Sequence, residues 1–217
     1  VGISYGGIES LNLLAGIGAL TFTTTAADDT LVVTPGASPA GSNSGTLQSN
    51  GAVPAVSFAN SGAVTANLGG GNDAVLVNGS SSNDTVAVSG TAINITGRHG
   101  VSYTGVEAVS VNGQAGGDTF NVTPALGVSV SIDGDDPNGA APGDQLNILA
   151  GGQSVTYNVG PQTDEGSFAV GANQPVSFDH IESFGITGNG PATINGTNGP
   201  DAITVIARDN STHAGTD

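Results

Sequence analysis

One eleven-residue pattern occurs three times in this chain: Ile3 to Leu13 reads ISYGGIESLNL, Val101 to Val111 reads VSYTGVEAVSV, and Val176 to Ile186 reads VSFDHIESFGI. Each copy puts an aromatic residue (Tyr5, Tyr103, Phe178) four positions ahead of a glutamate (Glu9, Glu107, Glu182), with apolar residues between and after. A unit repeated in this way cannot bury its own apolar face and depends on stacked neighbours to do so. Three of the chain's four glutamates lie in these copies, and a residue that recurs once per unit implies a job that recurs once per unit. The expected job is to accept backbone N–H bonds at a corner of the stack, beside the aromatic that fills it. The competing reading is a pair of catalytic carboxylates, since glycosidases use two acids about 5–10 Å apart.

The segments between the copies read as strands and turns. Ala19 to Thr23 and Val128 to Ile132 alternate apolar and polar residues, Asp28 to Val33 reads as another strand, and from Val53 short strand signals recur about every ten residues. Gly and Asn-Ser clusters punctuate them, and the 36 glycines and near absence of strong helix formers leave little room for a long helix. The expected fold is all-β, a β-solenoid with irregular coils whose residues 34–52, 133–143 and 160–166 project as loops. Tandem β-sandwich domains are the alternative, and strand direction separates the two: mostly parallel pairing favours the solenoid and mostly antiparallel pairing excludes it. The whole of 1–217 reads as one repeat-built module, a segment of a longer array; the alternative splits it into 1–52 and 53–217 at the Pro/Gly/Ser-rich stretch.

A second recurring element is an aspartate that follows a small or polar turn and precedes an apolar strand residue, at Asp29, Asp73, Asp84, Asp118, Asp144 and Asp201. Aspartate can close such a turn onto nearby backbone N–H groups, and turns of this kind can stack in a column. GGGNDAVL (69–76), AGGDTFNV (115–122) and GPDAITV (199–205) resemble degenerate forms of the calcium-binding RTX nonapeptide, and the three aromatic–glutamate copies resemble repeats of very large acidic surface proteins of environmental bacteria. The resemblance implies a secreted, solenoid-like structural or adhesive protein. It departs from RTX arrays in spacing: the six aspartates stand 44, 11, 34, 26 and 57 positions apart, not nine.

Charge narrows the partners. Eighteen acidic and two basic side chains give a net charge of −16, which repels nucleic acid phosphates and anionic membranes. No apolar run approaches the roughly 20 residues that a membrane helix needs. Asp133, Asp135, Asp136 and Asn138, with Asp144 beyond them, place several oxygen ligands in one loop, the kind of cluster that Ca²⁺ prefers. No other cofactor is expected. With no lysine, scattered histidines and no nucleophile motif, an enzyme is not expected. The expected function is an extracellular or cell-surface structural protein, a subunit or segment of a head-to-tail filament or surface layer. The alternative is a calcium-dependent adhesin or carbohydrate-binding module that recognises surface polysaccharide. Self-association follows from spacing. Tyr103 lies 19 residues after Asp84, and the Tyr5 of a second copy following Asp217 would lie 21 after Asp201. Residues 1–13 of one subunit are therefore expected to pack on residues 201–217 of the next.

Overall fold

The computed structural model describes residues 10–13, 18–36, 44–50, 55–59, 61–136, 143–188 and 190–204. They form nineteen strands and no helix. The first seven are β1 (Ser10–Leu13), β2 (Ala19–Thr23), β3 (Thr30–Pro35), β4 (Gly45–Ser49), β5 (Ala55–Phe58), β6 (Ala63–Asn67) and β7 (Ala74–Ser80). Next come β8 (Thr85–Val88), β9 (Ala92–Ile95), β10 (Val101–Thr104), β11 (Ala108–Gln114), β12 (Thr119–Val122) and β13 (Ser129–Asp133). The last six are β14 (Gln145–Leu149), β15 (Val155–Val159), β16 (Gly166–Val170), β17 (Val176–Asp179), β18 (Ser183–Thr187) and β19 (Ala192–Asn195). The chain is all-β, built as two mixed sheets that do not close into a barrel.

The larger sheet has eleven strands in the order β1-β5-β4-β3-β7-β11-β13-β17-β16-β15-β19, and the smaller has eight in the order β18-β14-β12-β8-β9-β10-β6-β2. The chain crosses repeatedly from one to the other. Three times it first lays a triplet within one sheet: β3–β5, β8–β10 and β15–β17. In each triplet the first strand lands three places beyond the previous pass, and the next two fill the gap backwards. Every antiparallel pairing between these strands falls inside a triplet. Every pairing between successive passes is parallel.

Strand alternation decides what is buried. In β11 and β12 the alternate residues Val109, Val111, Phe120 and Val122 are buried, as a pleated strand with one face inward requires. The inward residues of both sheets join one apolar core. Three pairings, β1 with β5, β2 with β6 and β3 with β7, cross the Pro/Gly/Ser-rich stretch.

Two expectations are corrected. Residues 34–52 are not one projecting loop: β3 runs on to Pro35, and β4 lies within the stretch, antiparallel to β3 and β5. Its signal was hidden because GTLQS offers one apolar residue among turn formers, yet Leu47 is fully buried. The expected strand at 201–205 is absent over Asp201–Thr204, which pair with nothing as a strand and are exposed, while residue 205 lies outside the described residues. Much of the expected 133–143 loop, residues 137–142, lies outside them as well.

Leu47 tests the correction. A leucine in a surface loop can be truncated at little cost, whereas one buried in a strand should lose about 2–5 kcal/mol as Leu47→Ala. Urea denaturation of the variant measures the difference.

Candidate functional site

The carboxylates of the recurring aspartates and glutamates form two hydrogen-bonded ladders, one at each entrance to a sheet. The first stands ahead of β3, β7 and β11. The Asp29 N–H donates to Asp73 Oδ1 at 2.7 Å, and the Asp73 N–H donates to Glu107 Oε2 at 2.8 Å. The second stands ahead of β8, β12, β14 and β18. There the N–H groups of Asp84, Asp118 and Asp144 donate in turn to Asp118 Oδ1 at 2.7 Å, Asp144 Oδ1 at 2.6 Å and Glu182 Oε2 at 2.6 Å. Each bond joins a carboxylate to a backbone amide, the charge-assisted kind that contributes about 1.5–3 kcal/mol where water is excluded.

The ladders have a local grammar. Their first members turn the carboxylate back onto their own loop: Asp29 accepts from the N–H and hydroxyl of Thr25, and Asp84 from those of Ser80. The preceding residues return a bond, since Asp28 Oδ1 accepts from the Asn72 N–H and Asn83 Oδ1 from the Gly117 N–H. The interior aspartates accept from one neighbouring strand and donate to the other. The glutamates end the series, because the N–H groups of Glu107 and Glu182 fold back onto the Asp73 and Asp144 carbonyls and so do not pass onward. Asp201 has the opening geometry again, accepting from the N–H and hydroxyl of Thr197.

The second ladder is electrostatically tense. Asp118 and Asp144 are almost wholly buried, and their Oδ2 atoms have no hydrogen-bond partner among the described residues. Burial pushes the Asp118 carboxyl up to about 7, against the pull of the Asp84 N–H, with Asp144 and Asp84 adding repulsion. Burial likewise lifts Asp144 to about 6, opposed by the Asp118 N–H and helped by Glu182, Asp133 and Asp135. Among the described residues one guanidinium faces this column: Arg98 Nε lies 3.3 Å from Asp84 Oδ1, and its Nη1 donates to the Gly36 carbonyl at 3.1 Å. Glycine is required beside the acids. A Cβ on Gly134 would stand 2.1 Å from the His180 carbonyl oxygen and 2.6 Å from Asp144 Oδ2.

The other expected site residues are placed as follows. Tyr103 is buried on β10 and its hydroxyl donates to the Ser89 carbonyl, burial holding the phenol well above its usual range. Phe178 on β17 packs with Phe168 and Tyr157 at centroid distances of 5.5 and 6.1 Å. Glu107 and Glu182 belong to different ladders, at the entrances to different sheets. Tyr5, Glu9 and Asn138 lie outside the described residues. Four members of the expected metal set, Asp133, Asp135, Asp136 and Asp144, lie among the described residues. Asp133 Oδ1 accepts from His180 Nδ1 at 2.9 Å and from the Asp135 N–H at 3.1 Å. Asp136 is tied through its backbone to Gln114 and Gly116, and Asp144 points into the buried ladder. Among the described residues no three His, Asp or Glu side chains converge as a metal site would need.

Two features escaped the sequence reading. Asp73 and Asp84, eleven residues apart, stand in different ladders, so that interval is a crossing between sheets. The intervals of 44, 34 and 26 are the true steps. A fourth, degenerate motif copy closes the first triplet: Val56-Ser57-Phe58 matches Val101-Ser102-Tyr103 and Val176-Ser177-Phe178, with Gly62 where the glutamate would stand. A side chain there is impossible without movement, since a Cβ on Gly62 would lie 1.7 Å from the Gly18 carbonyl oxygen. Comparison of the chain with known protein families, with curated proteins and with solved structures gives no significant match.

A carboxyl that holds its proton more tightly in the folded than in the unfolded chain stabilises the fold in acid. That contribution is lost as pH climbs from about 4, the unfolded value, through the folded values of Asp144 and Asp118. Thermal melting should therefore fall by several degrees between pH 5 and pH 8.5, on the order of 2 kcal/mol. Asp118→Asn, which keeps the Oδ1 acceptor and removes the titration, should flatten this slope. Asp118→Ala should instead cost about 2–3 kcal/mol at either pH, because it strands the Asp84 N–H.

Proposed function

We propose that this chain is an extracellular structural protein, a β-solenoid module that serves as a subunit or segment of a longer stack in a filament or surface layer. The observation that carries the reading is how the acids are used. Asp73, Asp118, Asp144, Glu107 and Glu182, the residues that would serve a catalytic or binding site, are committed to backbone N–H groups of neighbouring strands. A bond that recurs at each pass of the chain spreads stability along the stack rather than concentrating chemistry at one point. The parallel pairing between passes, with antiparallel strands confined to the triplets, fits a solenoid whose coils differ in length. Where successive passes meet, both sheets lengthen in the same direction, as a fibre-forming element needs. The resemblance to repeats of acidic bacterial surface proteins supports the same reading and its extracellular setting.

A calcium-dependent adhesin is separated from this reading by one measurement. The structural module holds its ladders together with amide donors, so thermal melting in excess EDTA should match melting in added calcium within about 2 °C. A large loss of melting temperature in EDTA, the mark of a bound ion that stabilises the folded state by mass action, would reject the reading in favour of a calcium-dependent one.

A further inference from the structure

The two ends of the stack match. Among the described residues, β18 and β19 are the last strands of the smaller and larger sheets at one end, and β2 and β1 are the first at the other. Counting direction through the pairings, β1 runs the same way as β3, β7, β11, β13, β17, β15 and β19. By the same count β2 runs the same way as β6, β10, β8, β12, β14 and β18. A copy translated along the stack would therefore set β1 beside β19 and β2 beside β18 in parallel, the pairing that already joins every pass within the chain.

Side chains at both ends are unfinished in the same sense. Phe184 and Ile186 of β18 stand in register with Leu146 and Ile148 of β14, which are fully buried, yet they are 41% and 37% exposed. Ile194 of β19 stands in register with the buried Tyr157 and is 52% exposed. At the opposite end Leu11, Leu13 and Leu20 pack on the core but are only partly buried. Asp201, just past β19, has the geometry that opens a ladder at Asp29 and Asp84.

We propose that the β18/β19 end of this chain docks onto the β1/β2 end of a second copy, so that both sheets and the apolar core continue from one copy into the next. The occupant is a second copy because the opposite end of this chain supplies the strand sense and the apolar residues that the β18/β19 end lacks. The contact is heterologous: each copy uses a different face, and growth does not close on itself. At a net charge of −16 the copies repel one another, so docking strengthens as salt shortens the screening length to below about 10 Å. This inference rests on the structural reading and adds the partner and the edges it uses.

End-specific variants test it. Ile194→Asp blocks one end, and Leu11→Asp, or Leu20→Asp on β2 should the first prove unstable, blocks the other; circular dichroism and melting confirm that each variant folds. Light scattering of the unmodified chain in high salt should show a mass that rises with concentration beyond two copies. Either variant alone should stay monomeric, and an equimolar mixture should double in mass and stop at the dimer. An unmodified chain that remains monomeric throughout overturns the docking, and so does a single variant that dimerises with itself. The EDTA melt is independent of these results, so the docking can fail while the structural reading stands.

Discussion

Successive passes of the chain are tied by the bond between a backbone N–H at the mouth of one strand and the carboxylate at the mouth of the next. A chain that leaves one sheet and enters another must turn, and at the turn its amides have no strand partner. Buried amides without acceptors would cost about 1–3 kcal/mol each. The acids remove that cost and set register as well, because a carboxylate in reach of one amide is out of reach of its neighbours. The parallel registers follow immediately downstream: Ala74 lies opposite Thr30, Thr119 opposite Thr85 and Gln145 opposite Thr119. Side chains then alternate correctly into the core for the length of each strand.

The ladder solves one problem and creates another. Acids stacked at successive strand mouths repel, and burial raises the penalty further. In the second ladder the strain is met at one end by Arg98 on Asp84 and at the other by the longer reach of Glu182, whose strand is partly exposed. Between them Asp118 and Asp144 have one oxygen each on an amide and one against glycine. Burial and the neighbouring acids therefore make both carboxyls hold a proton more tightly than usual. His180 stands outside the corner: its hydrogen bond to Asp133 raises its basicity beside Asp133 and Asp179, which are paired in register on β13 and β17. The triplets and the aromatic motif fit this frame, since the third strand of each triplet delivers Phe58, Tyr103 or Phe178 into the core just before the chain crosses to the other sheet.

Much of this was legible in the residues. The all-β class, most strand positions, and the stacking of the aspartate turns could be read from alternation and punctuation. The glutamates' acceptance of backbone N–H bonds could be argued from recurrence alone. What could not be read was which aspartates belong together. Sequence proximity links Asp73 to Asp84, but space links Asp73 to Asp29 and Glu107, because the triplets insert variable lengths between steps. The same insertions hid β4, whose single buried leucine carries too little pattern to stand out from a loop. Composition also does not say which way the carboxylates around 133–144 point. Asp133 faces outward to His180, whereas Asp144 faces inward to an amide. Arg98 gave no signal, since nothing in its neighbourhood announces that it reaches Asp84, fourteen residues earlier, across a triplet.

In a stack built on these ladders the corner amides are held as firmly as the strands they introduce. Amide hydrogen exchange followed by NMR reads this residue by residue. If the ladders carry the stack, the N–H groups of Asp73, Asp84, Asp118 and Asp144 exchange as slowly as the interior amides of β7, β11 and β12. Exchange of those four amides at the rate of exposed turns, with the strand interiors still protected, would contradict it.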